Sequence, residues 1–300
     1  MSSLRTFLSG IIDYAGLFPP AKVSMEAAVA NYAEYRSGDD RDLLGRFIVP
    51  AGRIEEFSNA ARHVLPRGAD ANPWQISAIV TGDSQTARKS LLEFNCSHWR
   101  GSDLGHATVD SVEIRVGDNA GIAAAKTIFP DSLKIFCEIT SGPGVDSLVD
   151  AIAETGVLAK IRTGGTTPEV FPSSTDVIRF ISLCHQRRVR FKATAGLHHP
   201  LRASYPLTYE SGSPRGPMFG YLNVFLAAAF IHSGFSDDIA LGVLEASDAA
   251  RIRFDDDRAE WNGHRIAADG LASARSDLAL SFGSCSFTEP VDEARQLGFL

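Results

Sequence analysis

Cysteine is scarce in this chain: 300 residues hold four, Cys96, Cys137, Cys184 and Cys285, far apart and without a CxxC pair. That excludes a disulfide framework and a thiolate zinc site. Three of the four lie inside apolar runs, and the four read as small buried hydrophobes in a reducing compartment. Long apolar runs are missing too, since a membrane span needs about 20 residues and the longest stretch, Pro217 to Ile231, is interrupted by Asn223. The first segment carries Arg5, is broken by Asp13 and has no small-residue cleavage site, so it does not read as a signal peptide, and a cytoplasmic location is expected. Positive charge is not in excess. With 29 Lys and Arg against 36 Asp and Glu the net charge is −7, which disfavours nucleic acid and anionic membranes as partners. The metal-ligand spacings HxH and HExxH are absent, as are low-complexity tracts and tandem repeats.

What is present is an alternation of short β-branched and aromatic runs with helix-like segments, the pattern of βα units on a parallel sheet. Eight runs fall at 10 to 16, 45 to 50, 75 to 80, 111 to 116, 133 to 139, 157 to 165, 189 to 196 and 278 to 286. Six of the seven intervals have the length of one strand, one helix and two loops. Ser24, Ser84 and Ser174 stand as N-caps before amphipathic segments, and Gly156 ends the helix that begins near Val145. The expected architecture is α/β, a (β/α)8 TIM barrel in a single domain over residues 1–300. An open doubly wound sheet competes less well, because no GxGxxG follows the first run. The seventh interval is long, and residues 200–277 are expected to form an insertion that covers the C-terminal mouth as a lid. It contains an apolar helix near 218 to 232, which packs on the barrel or leaves a homo-oligomer open, a second helix near 237 to 249, and a hairpin turning at Asn262–Gly263. The DDD at 255 to 257 reads as a solvated turn, and FPP at 18 to 20 as a stiff first loop over the mouth.

Parallel strands covered on both faces are normally aliphatic, yet several of these carry charge. Strand four holds Glu113 and Arg115, strand five ends at Glu138, strand six holds Lys160 and Arg162, strand seven Lys192, and Asp13 ends the run of strand one. Residues two apart share a face, and all lie in the C-terminal halves, where barrel enzymes place their chemistry. A salt-bridge layer would explain paired charges, but three carboxylates against four cations leave room for an anionic ligand. A free lysine is neutral only about one time in 2,500 at pH 7, so cations crowded around Lys160 would favour its reactive amine. Glycines follow the last three strands, Gly164, Gly165, Gly196 and Gly283, the last beside Ser284 and Ser286. Loops of this kind cradle phosphate by close backbone approach, and glycine also simply suits βα turns.

Taken in order, IDYAGLFPPA, FIVPAGRIEE, SVEIRV, KIFCEIT, KIRTGG, FKATAG and FGSCSF resemble the segments of the deoxyribose-phosphate aldolase family, class I aldolases that act through a lysine Schiff base. The resemblance spans about 10 to 198 and again 278 to 290. It implies that Lys160 is the Schiff-base residue, that Lys192 is the second lysine, that Glu113 stands where the family has a proton-relay aspartate, and that Glu138 and Asp13 are acidic residues of the same mouth. It also implies a phosphate-binding backbone at Gly164, Gly196, Gly283 and Ser286. The sequence departs from the family at Arg162 and Arg115, at Ala195 and His198, and in the long insertion. The same fold and lysine would then serve another substrate, for instance a carboxylate held in a bidentate contact by Arg162 or Arg115.

The expectation is therefore a lyase, with no cofactor, that takes a small carbonyl compound as its partner. Two other classes remain open. One is a metal-dependent hydrolase or isomerase using His198 or His199 with Glu138 and Glu113. The other is a non-catalytic ligand-binding barrel in which the lysines only neutralise carboxylates.

Overall fold

In the computed structural model, which describes residues 3–68 and 70–300, eight parallel strands close into a barrel. They are β1 (Ile12–Tyr14), β2 (Leu44–Pro50), β3 (Trp74–Val80), β4 (Ala107–Arg115), β5 (Lys134–Ile139), β6 (Leu158–Arg162), β7 (Phe191–Thr194) and, last in the chain, β13 (Ala279–Ser284). Closure is made by β1, which pairs with β2 on one side and with β13 on the other, Ile12 facing Phe282 and Tyr14 facing Ser284. An open sheet would have left β1 and β13 at separate edges. The intervening helices are α2 (Met25–Ser37), α3 (Ile54–Ala61), α4 (Ser84–Ser97), α5 (Asn119–Ile128), α6 (Val145–Thr155) and α7 (Ser174–Gln186), preceded by a short α1 (Ser3–Leu8).

The start and stop signals act locally, with two shifted by one residue. Ser24 accepts from the Ala27 N–H as expected, and Gly156 ends α6 at φ 72°, the left-handed region that glycine reaches without strain. Asp83 rather than Ser84 caps α4, and Ser173 rather than Ser174 caps α7. In both cases the side chain one position earlier reaches the free N–H of the first turn. Asp110 is an extra residue in β4, where the register slips against β3. Its carboxylate takes both Nε and Nη2 of Arg46 at 2.6 Å.

Residues 200–277 do not form one lid. The first part is a hairpin, β8 (Ala203–Pro206) and β9 (Arg215–Met218), which reaches the mouth through Leu207 and Met218. Helix α8 (Tyr221–His232) then runs back along the barrel wall against α7 and β13. Its apolar surface all round is explained by burial from Tyr221 to Ile231. Asn223 is the polar exception, and both ends of its amide are satisfied. Its oxygen accepts from the Arg202 N–H, and its Nδ2 donates to the carbonyls of Val243 and Ala246, each at 2.8 Å. After α9 (Asp237–Leu244) comes a three-stranded sheet, β10 (Ile252–Phe254), β11 (Arg258–Trp261) and β12 (His264–Ala267), and then α10 (Ala268–Asp277). This sheet packs against α1, with Ser3 Oγ donating to the Asp255 carbonyl and Phe254 beside Phe7. Because α1 precedes β1, the sheet lies at the N-terminal end of the barrel, away from the mouth. Asn262 and Gly263 form its second turn at φ 48° and 82°, and the three aspartates form its first. The chain closes with α11 (Thr288–Gln296). Among the described residues no helix is long and apolar enough to cross a membrane.

Candidate active site

The register explains why the strand-borne charges meet. Glu138 on β5 pairs with Lys160 on β6, and Lys160 with Lys192 on β7, so the three side chains stand level on one face. Glu113 on β4 pairs with Phe136, two residues before Glu138, and so enters one layer lower. From there it reaches both lysines. Lys192 Nζ donates to Glu113 Oε1 at 2.7 Å and to Asp13 Oδ2 at 2.6 Å. Lys160 Nζ lies 2.8 Å from Glu113 Oε2 and 2.7 Å from Glu138 Oε2. Ser77 Oγ donates to Glu113, Ser281 Oγ to Asp13, and the Arg46 N–H to the other Asp13 oxygen. Sequence had signalled neither serine, because a hydroxyl inside a strand is unremarkable by pattern.

The two lysines are held differently. Lys192 is wholly buried and its contacts have hydrogen-bond geometry. Glu113 Oε2, the oxygen nearest Lys160, takes no aligned hydrogen bond. Burial alone would lower the Lys192 amine, but Asp13 and Glu113 outweigh it and hold the pKa above the usual lysine value. Burial would likewise raise Glu113, and the charges of Lys160 and Lys192 reverse that, keeping its carboxyl far below the usual range. Glu138 is lowered in the same way, its burial outweighed by Lys160 and then Arg162.

Arg162 Nε sits 3.3 Å from Glu138 Oε1. The expectation that cations crowd Lys160 is therefore corrected: carboxylates separate them, and Arg162 spends part of its charge on Glu138.

Above this layer opens a cavity of about 280 Å³. Lys160, Arg162, Gly165, Gly196, His198 and Gly283 border it, together with Phe18, Pro19 and Pro20 of the first loop. Gly164, Ser284, Ser286 and Arg115 are not part of its lining. Gly164 is a packing glycine, since a Cβ there would lie 2.5 Å from the Phe171 ring and 3.1 Å from the Gly196 Cα. Ser286 accepts from the Glu289 N–H at the start of α11. Arg115 borders a neighbouring groove with Glu138, Arg162 and Phe171. The glycines thus allow close packing between the last loops, and only some of them offer backbone to a ligand.

The histidines also separate. His198 faces the cavity, whereas His199 stacks on Tyr205 with ring centroids 3.4 Å apart and holds Glu293 at 2.8 Å. Glu138 is engaged by Lys160 and Arg162, so the proposed set of His198, His199 and Glu138 is not assembled as metal ligands. His199, Glu289 and Glu293 do lie close together, but each is turned to a protein partner, Glu289 to Tyr209 and His198, Glu293 to His199. We assign them no metal.

Cys96 is exposed rather than buried. Cys285, read from sequence as a small buried hydrophobe, is buried and borders the cavity beside His198. The available signal was its place at the C-terminal end of a barrel strand. Compared with models of known families and with curated proteins, the chain matches none.

Proposed function

We propose that this barrel is a class I lyase of the deoxyribose-phosphate aldolase type, using Lys160 as the Schiff-base nucleophile toward a small carbonyl compound. One observation carries the reading: of the two buried lysines, Lys160 alone borders the cavity, with two carboxylates at its amine. Attack of the amine on the carbonyl carbon requires a proton to leave nitrogen, and loss of the carbinolamine oxygen as water requires protons to arrive. Glu138 and Glu113 are within reach for both transfers. Lys192 stays an ammonium that anchors Glu113 and Asp13. The iminium then draws electrons from the adjacent C–C or C–H bond, and a carboxylate on the substrate would pair with Arg162 at the rim. A cytoplasmic setting belongs to the same reading.

A ligand-binding barrel without chemistry is the second reading, favoured by the pairing of both lysines with carboxylates. Borohydride reduction with a panel of small aldehydes and ketones separates the two. The aldolase reading expects an intact-mass adduct that maps to Lys160, persists in Lys192→Ala and disappears in Lys160→Ala. Label on Lys192, or none with any carbonyl compound, overturns it.

A further inference from the structure

A second group of reactive side chains borders the same cavity and plays no part in the lysine chemistry. Cys285 follows β13 directly, two residues before the N-cap of α11, and only 5% of its surface is exposed. Its Sγ lies 3.8 Å from His198 Nδ1 and 3.7 Å from the Tyr209 hydroxyl. Glu289 shares that ring nitrogen, its Oε2 standing 3.5 Å from the same Nδ1 and accepting a 2.8 Å hydrogen bond from Tyr209. Ser284 Oγ completes the surround at 3.4 Å. A buried thiol against an imidazole, with a carboxylate beside the same ring nitrogen to favour the imidazolium, is an arrangement that generates a thiolate nucleophile.

We propose that Cys285, paired with His198, is a second covalent site of the cavity, which takes small aldehydes as hemithioacetals. The sulfur adds to the carbonyl carbon, the C=O π pair moves to oxygen, and that oxygen takes the proton from His198 Nδ1, so no other reactant is needed. The choice of ligand follows from the imidazole: an N–H donor beside the sulfur is useful to an electrophile that develops an oxyanion on addition. A cavity of about 280 Å³ suits a small ligand, and Ile48, Ile79, Leu207 and Met218 give it an apolar wall. Glu289 is a positioning residue.

The electrostatics agree. Burial would raise the thiol, but the hydrogen bond and charge of His198, with Tyr209, bring it below the ordinary value. Burial would lower His198, and Cys285 and Glu289 instead lift it to about 9. The other titratable groups around the pair are His199 and Glu293 on one side, Tyr14 of β1, and Lys160 and Arg162 on the cavity wall.

The test uses iodoacetamide labelling read by peptide mapping, with acetaldehyde as the competing ligand. We expect Cys285 to label faster than exposed Cys96 at pH 7, with a rate that stays high below the usual thiol pKa of about 8.5. His198→Gln is expected to slow labelling at pH 7 at least tenfold and to move the profile up to the ordinary thiol range. Acetaldehyde is expected to protect Cys285 saturably in Lys160→Ala as well as in the unaltered protein, which separates this site from the Schiff-base reading. Preferential labelling of Cys96, a profile unchanged in His198→Gln, or no protection in Lys160→Ala overturns the proposal. Should His198→Gln fail to fold, the pH profile of the unaltered protein alone decides.

Discussion

Replacing Lys192 by methionine removes the ammonium that Asp13 holds. The stem is conserved in shape, so the effect isolates the charge. Asp13 would keep the Arg46 N–H and the Ser281 hydroxyl but would lose its ion pair, while Glu113 would retain Lys160 and the Ser77 hydroxyl. Breaking a buried pair in this way costs about 3–5 kcal/mol. At roughly 2–4 °C per kcal/mol for a large domain, Tm should fall by about 6–20 °C. The pH dependence gives the sharper check. In the unaltered protein the depressed Glu113 contributes stability above the ordinary carboxylate range, lost as pH falls through its folded value. The raised Lys192 contributes below the ordinary lysine range, lost as pH rises through its folded value. The penalty of the substitution should therefore be full between about pH 6 and 9 and shrink toward pH 4, where the orphaned carboxyls can take up protons. Urea unfolding at pH 7.5 and pH 4.5 measures both. A cost below about 1 kcal/mol at pH 7.5, or an equal cost at the two pH values, would show that the lysine does not neutralise this layer.

Three further outcomes follow from the same geometry. Gly164→Ala should destabilise by about 1–3 kcal/mol, because the added Cβ meets Phe171 and the Gly196 backbone; a thermal melt unchanged from the parent would contradict this packing role. Asn223→Ala should cost about 2–3 kcal/mol by leaving buried carbonyls of the segment after α8 without their donors, and hydrogen exchange should rise first at residues 243–246. With whichever carboxylate-bearing carbonyl compound is trapped on Lys160, Arg162→Gln should raise the concentration for half-maximal trapping by about tenfold, the value of one charge-assisted hydrogen bond; an equal change for an uncharged analogue would remove Arg162 from substrate recognition.

Periodicity alone carried the architecture. Eight apolar runs at βα spacing leave few ways to bury both faces of a parallel sheet, and side-chain alternation already put Glu113 with Arg115 and Lys160 with Arg162 on shared faces. Capping residues were legible to within one position, since Ser, Asp and Ser neighbours at a helix start compete for the same N–H groups. What lay beyond the sequence was which charge answers which. Register across β4 to β7 lowered Glu113 by a layer and set it between the lysines, replacing an expected repulsion by two ion pairs. The long seventh connection could be counted but not placed. Only packing against α1 sent its sheet to the far end of the barrel while its hairpin stayed at the mouth. Cys285 became a neighbour of His198 and Tyr209 in the same way, across 87 and 76 residues of chain. Local pattern reports which face a residue occupies, because that depends on neighbours within a turn or a strand; who meets it there depends on barrel closure and loop placement, which are decided by contacts distant in sequence.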